Sequence, residues 1–489
     1  MSYEKFSKHV VILGLTQAVT ALSGIITLPI ITKLLGAQNY GIWTQLLVTI
    51  GFISTTAILD FPYALVRFLP GEKNPKEIRD GIWSVLTIMA GILISICALL
   101  IIFSKDIGHF LGCPQLFIML LAFIIIFECL NDVFYNIFRV FQEVKKYCLF
   151  VILQKIAETG SVIAAIVLGR GLLGAVIALL TIKIIVFFIS GSLVVKKVGI
   201  TVPKFLRTRE YLSFCLPLMP GDVSFWIIQS SDKYLIGFFL GTLFVGYYAP
   251  AYTLGCVLTF FVMPLSFLLP ATLSQHHDQD QTHEVKTYLT YSLKYFLMIA
   301  IPAVFGLSVL SKQLLTTFST PEIATHSYLV VPFVALSILL FGVYSIVAQI
   351  IFLKKKTKLN GSIWLVAALL NFGLNIIVIP RFGILGASIT TLIAYAFVAG
   401  AGCYYSFRQL RFHIDWNIIA KSIVASLAMA LAIVWINPVG LYRNLGTIAL
   451  GMAVYAAAIL VLKVFTPEEL SLFKRKLQDA VKPFGNYFS

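Results

Sequence analysis

Apolar runs long enough to cross a bilayer follow one another along nearly the whole chain, and this bounds the fold before any motif is considered. A hydrocarbon core of about 30 Å takes roughly 20 apolar helical residues. Such runs cover approximately 9–32, 41–66, 81–103, 114–138, 147–168, 172–195, 211–239, 243–269, 288–310, 326–352, 359–379, 383–406, 416–436 and 442–463. They predict an all-α integral membrane protein of about fourteen transmembrane helices. Only 12% of the 489 residues are charged, against about 25% in a soluble domain. The connecting loops are too short to hold an extramembrane domain. Only the segment after Lys463 is longer, and Thr466-Pro467-Glu468-Glu469 there predicts the start of a short amphipathic cytoplasmic helix. The first run exceeds a signal-peptide core and has no small-residue cleavage site behind it, so it is expected as a spanning helix.

Net charge is +16. On a soluble chain that balance would suggest nucleic acid; here the cations sit in short loops, and no nucleic-acid partner is expected. The two ends and the loops after even-numbered spans carry 25 Lys and Arg, the loops after odd-numbered spans six. The positive-inside rule therefore predicts a multi-pass protein of the cell (inner) membrane with both termini cytoplasmic. Six further cations, Arg67, Lys155, Lys183, Lys233, Lys294 and Lys421, lie within or at the edges of spans. The seven cysteines form no CxxC pair and read as small buried hydrophobes. The loop His276–Glu284 reads as solvated, not as a metal site. There is no GxxxxGK[ST], HExxH or GxSxG, so neither cofactor nor metal is expected, and a transporter is expected ahead of an enzyme.

The chain repeats itself. Leu35-Gly36-Ala37-Gln38-Asn39-Tyr40-Gly41-Ile42-Trp43 matches Leu240-Gly241-Thr242-Leu243-Phe244-Val245-Gly246-Tyr247-Tyr248, and Gly171-Leu172-Leu173-Gly174-Ala175 matches Gly383-Ile384-Leu385-Gly386-Ala387. The offsets, 205 and 212, predict two parallel six-helix lobes over 1–200 and 201–410, helices 13 and 14 over 411–465, and the tail 466–489. A substrate site is expected at the seam between the lobes.

A charge at the bilayer centre costs about 2.5–3.5 kcal/mol or more, so intramembrane charges face a partner or a hydrated cavity. Span 2 carries Gln45, Thr49, Thr56, Asp60, Tyr63 and Arg67 on one helical stripe. Span 7 carries Asp222, Trp226, Gln229 and Lys233; span 1 Thr16, Thr20, Ser23 and Thr27; span 4 Glu128, Asp132, Tyr135 and Arg139. Spans 1, 2 and 7 are the expected walls of the seam. Against this stands mutual neutralisation between packed helices, for Asp60 with Arg67, Asp232 with Lys233, and above all Lys155 with Glu158. Neighbouring residues point about 100° apart on a helix, so Asp232 and Lys233 are not expected to face one spot. Asn371 and Asn375 read as interhelical hydrogen-bond glue.

Several pieces together resemble the polysaccharide-transporter type of oligosaccharide flippase, the O-antigen and capsule flippases. That group shares a superfamily with the multidrug and toxic-compound extruders and the lipid II flippase. The pieces are Leu59-Asp60-Phe61 and Ala64–Pro70, Arg139 with Tyr147, Pro217 and Pro220 before Ser231–Gly237, and Lys355-Lys356-Thr357 followed by Asn371, Asn375, Pro380, Gly383, Gly386, Ala387 and Thr391. The resemblance implies a MATE-like V of two lobes. It implies a polyprenyl-diphosphate-linked oligosaccharide moved from the cytoplasmic to the outer leaflet for cell-surface polysaccharide such as lipopolysaccharide. Arg67 and Lys233 would meet the diphosphate, and Gln45, Tyr63, Trp226 and Gln229 the sugars. Asp60, Asp222 and Asp232 would balance charge or carry a coupling proton. The expected protein is a monomer among membrane lipids, working beside glycan polymerases or glycosyltransferases. The alternative is a Na⁺- or H⁺-coupled multidrug or metabolite exporter of the same fold. A membrane-embedded glycan polymerase or ligase is disfavoured, because those need a long outward loop.

Overall fold

A computed structural model describes residues 3–72, 74–436 and 440–464, and among these every regular element is helical. The first half contains α1 (Tyr3–Ala57), α2 (Phe61–Phe68), α3 (Pro75–Ile102), α4 (Ser104–Phe110), α5 (Gln115–Val140), α6 (Val144–Val167) and α7 (Gly171–Val198). The second contains α8 (Thr208–Cys215), α9 (Met219–Leu240), α10 (Thr242–Gly255), α11 (Thr259–Asp278), α12 (Thr282–Val309), α13 (Ser311–Phe318), α14 (Pro321–Ser327), α15 (Val330–Val347), α16 (Gln349–Leu353) and α17 (Thr357–Phe407). Helices α18 (Trp416–Ile436) and α19 (Leu441–Val461) follow. The helix expected over 466–489 lies outside the described residues.

Among the described residues eleven helices are long and apolar enough to cross a membrane, or twelve when α8 and α9, bent by 42° at their junction, count as one span. Pro217 and Pro220 flank that bend and explain it, since each removes a helix hydrogen bond. Two of the helices, α1 and α17, run for 55 and 51 residues. A straight helix of that length would reach about 75–80 Å, more than twice the hydrocarbon thickness. Each is broken at one glycine, Gly36 (φ 78°, ψ 173°) and Gly383 (φ 61°, ψ −146°), in conformations that side-chain-bearing residues rarely adopt. Counting the two sides of each break separately brings the spans to fourteen.

The breaks follow the sequence repeat. Gly241, 205 residues beyond Gly36, takes nearly the same conformation (φ 94°, ψ 166°), and Gly171 (φ 62°) stands 212 residues before Gly383. The buried apolar side chains form one large cluster running mainly from Leu28 to Cys215 and several over residues 228–412, with smaller clusters fastening α18 and α19 to α12 and α13.

At one end of the seam the lobes interlock through the repeat itself. A methyl group placed on Gly41 would collide with the Thr242 carbonyl, and one on Gly246 with the Ala37 carbonyl. Thus α1 and α10 cross backbone to backbone, as small residues allow in membranes. Gln38 Nε2 donates to Thr242 Oγ1 at 2.5 Å, and Lys33 Nζ to the Thr317 carbonyl at 2.6 Å. Deeper, Tyr234 donates to Thr49 Oγ1 at 2.8 Å and Phe52 packs on Trp226 with ring centroids 4.4 Å apart.

Two expectations are corrected. The second span is not one continuous helix: Leu59 (φ 50°) and Asp60 (φ 56°) are both left-handed and separate α1 from α2. The linkers read as plain loops contain the short helices α4, α13 and α14.

Candidate functional site: a polar cavity at the seam

Beyond the Phe52–Trp226 contact the seam opens into a cavity of about 510 Å³. The first lobe contributes Thr55, Ile58, Asp60, Pro62 and Tyr63 from around the α1–α2 break, Asp132, Asn136 and Arg139 from α5, and Tyr147 from α6. From α9 of the second lobe come Asp222, Phe225, Trp226, Gln229 and Ser230. Irregular backbone at membrane depth is tolerated where it lines a water-filled space or is buried in protein. The left-handed pair does the first and so turns the Asp60 carboxyl toward the cavity. Pro62 restarts the helix at a first-turn position where its missing N–H costs nothing, and the Asp60 carbonyl accepts from Cys215 Sγ at 3.2 Å.

The charges are unevenly matched. Arg139 is the one Lys or Arg among the described lining residues, against the three carboxyls of Asp60, Asp132 and Asp222. Arg139 Nη1 donates to Asn136 Oδ1 at 2.8 Å, and its guanidinium stands 5.4 Å from the centre of the Tyr147 ring. Asn136 in turn donates to the Asp132 carbonyl at 2.9 Å. These contacts hold the guanidinium against the wall without committing it to a carboxylate. Asp60 is only 6% exposed and its Oδ2 has no hydrogen-bond partner. Asp222 lines the same cavity from the opposite lobe.

Of the nine residues expected to meet the substrate or balance its charge, the structure brings together Asp60, Tyr63, Asp222, Trp226 and Gln229. It separates the other four. Lys233 is a correction: it sits a turn beyond Gln229, where the lobes are already closed, and is 7% exposed. Its ammonium is 2.8 Å from the Gln229 carbonyl, 3.1 Å from Asp232 Oδ1 and 3.8 Å from the centre of the Tyr252 ring. The flexible lysine stem therefore folds back onto its neighbour, so Asp232 and Lys233 do share one spot. Tyr248 occupies the other Asp232 oxygen at 2.5 Å. Gln45, 2% exposed, lies against the backbone of Gly237 in the closed part. Arg67 is exposed but absent from the cavity wall, because the break at Leu59 and Asp60 resets the helical register.

Other stripes resolve differently. Thr16, Thr20, Ser23 and Thr27 donate to carbonyls of their own helix and line no part of this cavity. Glu158 is held by Lys183 at 2.7 Å, with Lys155 more distant at 3.6 Å; Lys183 also pairs with Glu128. Asn375 donates to Asn371 at 3.2 Å and accepts from Thr390, tying the two arms of α17 together. Arg139, Asp132 and Asn136 are the site residues that the stripe reading underrated. Their spacing of three and four was visible, but the end of a span is also where interface anchors sit. Among the described residues no group of three metal-ligating side chains converges.

Residues 6–271 match the family described as polysaccharide biosynthesis protein, which is more than half of the chain. A relative from Haloferax volcanii, described as a probable low-salt glycan biosynthesis flippase, Agl15, is 23% identical over 56% of this chain and 58% of its own length. The chain thus spans little more than half of that relative. Among solved structures, the lipid II flippase MurJ in an inward closed conformation matches with a TM-score of 0.76 at 17% identity, over 95% of this chain and 98% of that one. An inward-facing multidrug resistance MATE family transporter of the MOP superfamily matches with a TM-score of 0.63 at 14% identity, over 80% and 98%. The family match leads to one conclusion, and the solved structures add a shared fold: this chain belongs to the polysaccharide biosynthesis protein family.

Proposed function

We propose that the protein is a flippase that carries a lipid-linked, phosphate-bearing oligosaccharide from the cytoplasmic to the outer leaflet for cell-surface glycan synthesis. The observation that carries this reading is the seam cavity, polar and aromatic, open at one end and interlocked at the other. Lys145, Lys146, Lys196 and Lys197 lie at or beside the ends of α5, α6 and α7 nearest Arg139, so the positive-inside rule makes the open end cytoplasmic. A sugar chain cannot cross hydrocarbon bare, since each unpaired polar group costs several kcal/mol. Within the cavity Asn136, Gln229 and the carboxyls would bond sugar hydroxyls, Tyr63 and Trp226 would cover apolar sugar faces, and Arg139 would meet a phosphate oxygen as a charge-assisted donor. The lipid chain stays in the bilayer beside the seam.

The test is genetic and chemical together. Cells lacking the protein are expected to lose surface glycan and accumulate its lipid-linked precursor, and Arg139→Ala is expected to reproduce that at matched protein level. Normal surface glycan in the deletion strain would end this reading. The three carboxyls against one guanidinium favour a second reading, export of organic cations driven by H⁺ or Na⁺. Retention of a fluorescent organic cation by the deletion strain, with surface glycan intact, would select it.

A further inference from the structure

An anionic substrate and a cavity with surplus carboxyls are in conflict, and the geometry of two of those carboxyls suggests how the conflict is resolved. Asp60 is more than nine-tenths buried, its Oδ2 has no hydrogen-bond partner, and it faces the cavity. A second acceptor, Asp222, lines the same cavity from the opposite lobe. Arg139 relieves neither, since its nearest protein partners are Asn136 and Tyr147. Two facing acceptors with an open oxygen between them form an incomplete cation site. No third metal-ligating side chain converges there among the described residues. Mg²⁺ suits such a setting, because it is commonly held by one or two carboxylates together with substrate phosphate oxygens and retained waters.

We propose that Asp60 and Asp222 bind a hard divalent cation, Mg²⁺ in the cell, jointly with the phosphate oxygens of the substrate. The inference rests on the flippase reading above. Cation and phosphate each complete the other's site, so neither alone binds tightly and the pair binds together. The two carboxylates belong to different lobes, so the site forms when α2 and α9 approach and comes apart when they separate. Cation binding is thereby tied to how closely the two lobes approach at this end of the seam. Arg139, on the neighbouring wall, takes a remaining phosphate oxygen.

The test uses the whole chain in lipid nanodiscs with farnesyl diphosphate, a short isoprenyl diphosphate, as probe. Its affinity is measured in 5 mM MgCl2 and in EDTA, roughly the two extremes of site occupancy. Wild type is expected to bind the probe at least about tenfold more tightly with Mg²⁺. Asp222→Asn, at an exposed position where folding is not at stake, is expected to shrink that ratio to less than about twofold. Asp60→Asn keeps a residue type that tolerates the left-handed backbone and is expected to behave alike. Equal affinity in Mg²⁺ and EDTA overturns the inference while leaving the flippase reading intact. A drop to pH 5.5 in EDTA that reproduces the Mg²⁺ effect, and fails in Asp222→Asn, also overturns it, because the pair then takes a proton instead. If the probe binds under no condition, the flippase reading falls and the metal site with it.

Discussion

The two ends of the seam are built from the same repeated chain and do opposite things. At the closed end Gly41 and Gly246, 205 residues apart, let α1 and α10 touch backbone to backbone. At the open end the facing walls are not counterparts in the repeat: the first lobe supplies Asp60 and Tyr63 from the break after α1, the second Asp222, Trp226 and Gln229 from α9, just past its bend with α8. Closure therefore depends on the absence of side chains and the cavity on their presence. A gate needs only complementary shapes, which a duplicated motif provides at once. A binding surface needs unlike groups on its two walls, and here the walls come from different parts of the repeat.

The largest effect is expected from Gly246→Val. A side chain there meets the Ala37 carbonyl, and overpacking of this kind costs about 1–3 kcal/mol when backbone cannot yield. Glycan export should be lost, and a Cys pair placed at Gln38 and Thr242, expected to cross-link readily with Gly246 intact, should cross-link poorly. Full cross-linking in the valine variant would show that the crossing is not the gate. Next comes Arg139→Ala, expected to lower export by about tenfold or more while leaving that cross-link unchanged, since a charge-assisted bond to phosphate contributes about 1.5–3 kcal/mol. Loss of both export and cross-linking would mean that the two ends are not separable.

Lys233→Met should act on stability more than on export. It leaves Asp232 buried with one partner fewer, and breaking a buried pair costs about 3–5 kcal/mol. The double change Asp232→Asn with Lys233→Met should recover much of the loss in a detergent melting curve. Abolished export in the double variant, at normal melting temperature, would restore Lys233 to a substrate role. The smallest effect belongs to Tyr234→Phe, which removes one hydrogen bond to Thr49 at the roof of the cavity, worth about 1 kcal/mol. Export should fall slightly, if at all; a complete loss would make that bond part of the gate.

Much of the fold was legible because hydrocarbon imposes length and polarity on every spanning helix. The fourteen apolar runs, the glycine repeats and the family resemblance needed no coordinates. Half of the candidate site was legible for the same reason: Asp222, Trp226 and Gln229 share one face of a regular helix, and α9 stays regular through them. The stripe in the second span failed at its end. It assumed one helical register from Gln45 to Arg67, and Leu59 and Asp60 break that register; Asp60, a type that tolerates the left-handed conformation, and Pro62 just after it were weak local signals of the break. Lys233 lies off the cavity wall for another reason. Its place on the stripe is correct, but a stripe says which way a residue points and not whether the space ahead is open.

By itself, the amino-acid sequence determined the class of protein, and it set the expectations for the crossings, the duplication and the sign of each end. Those follow from one-dimensional quantities, namely how many apolar residues run together and where the cations fall. Only the tertiary structure decided which polar residues meet water. That depends on where two lobes stop touching, a distance between segments far apart in the chain, and it leaves Gln229 on the cavity wall and Lys233, one turn on along α9, buried.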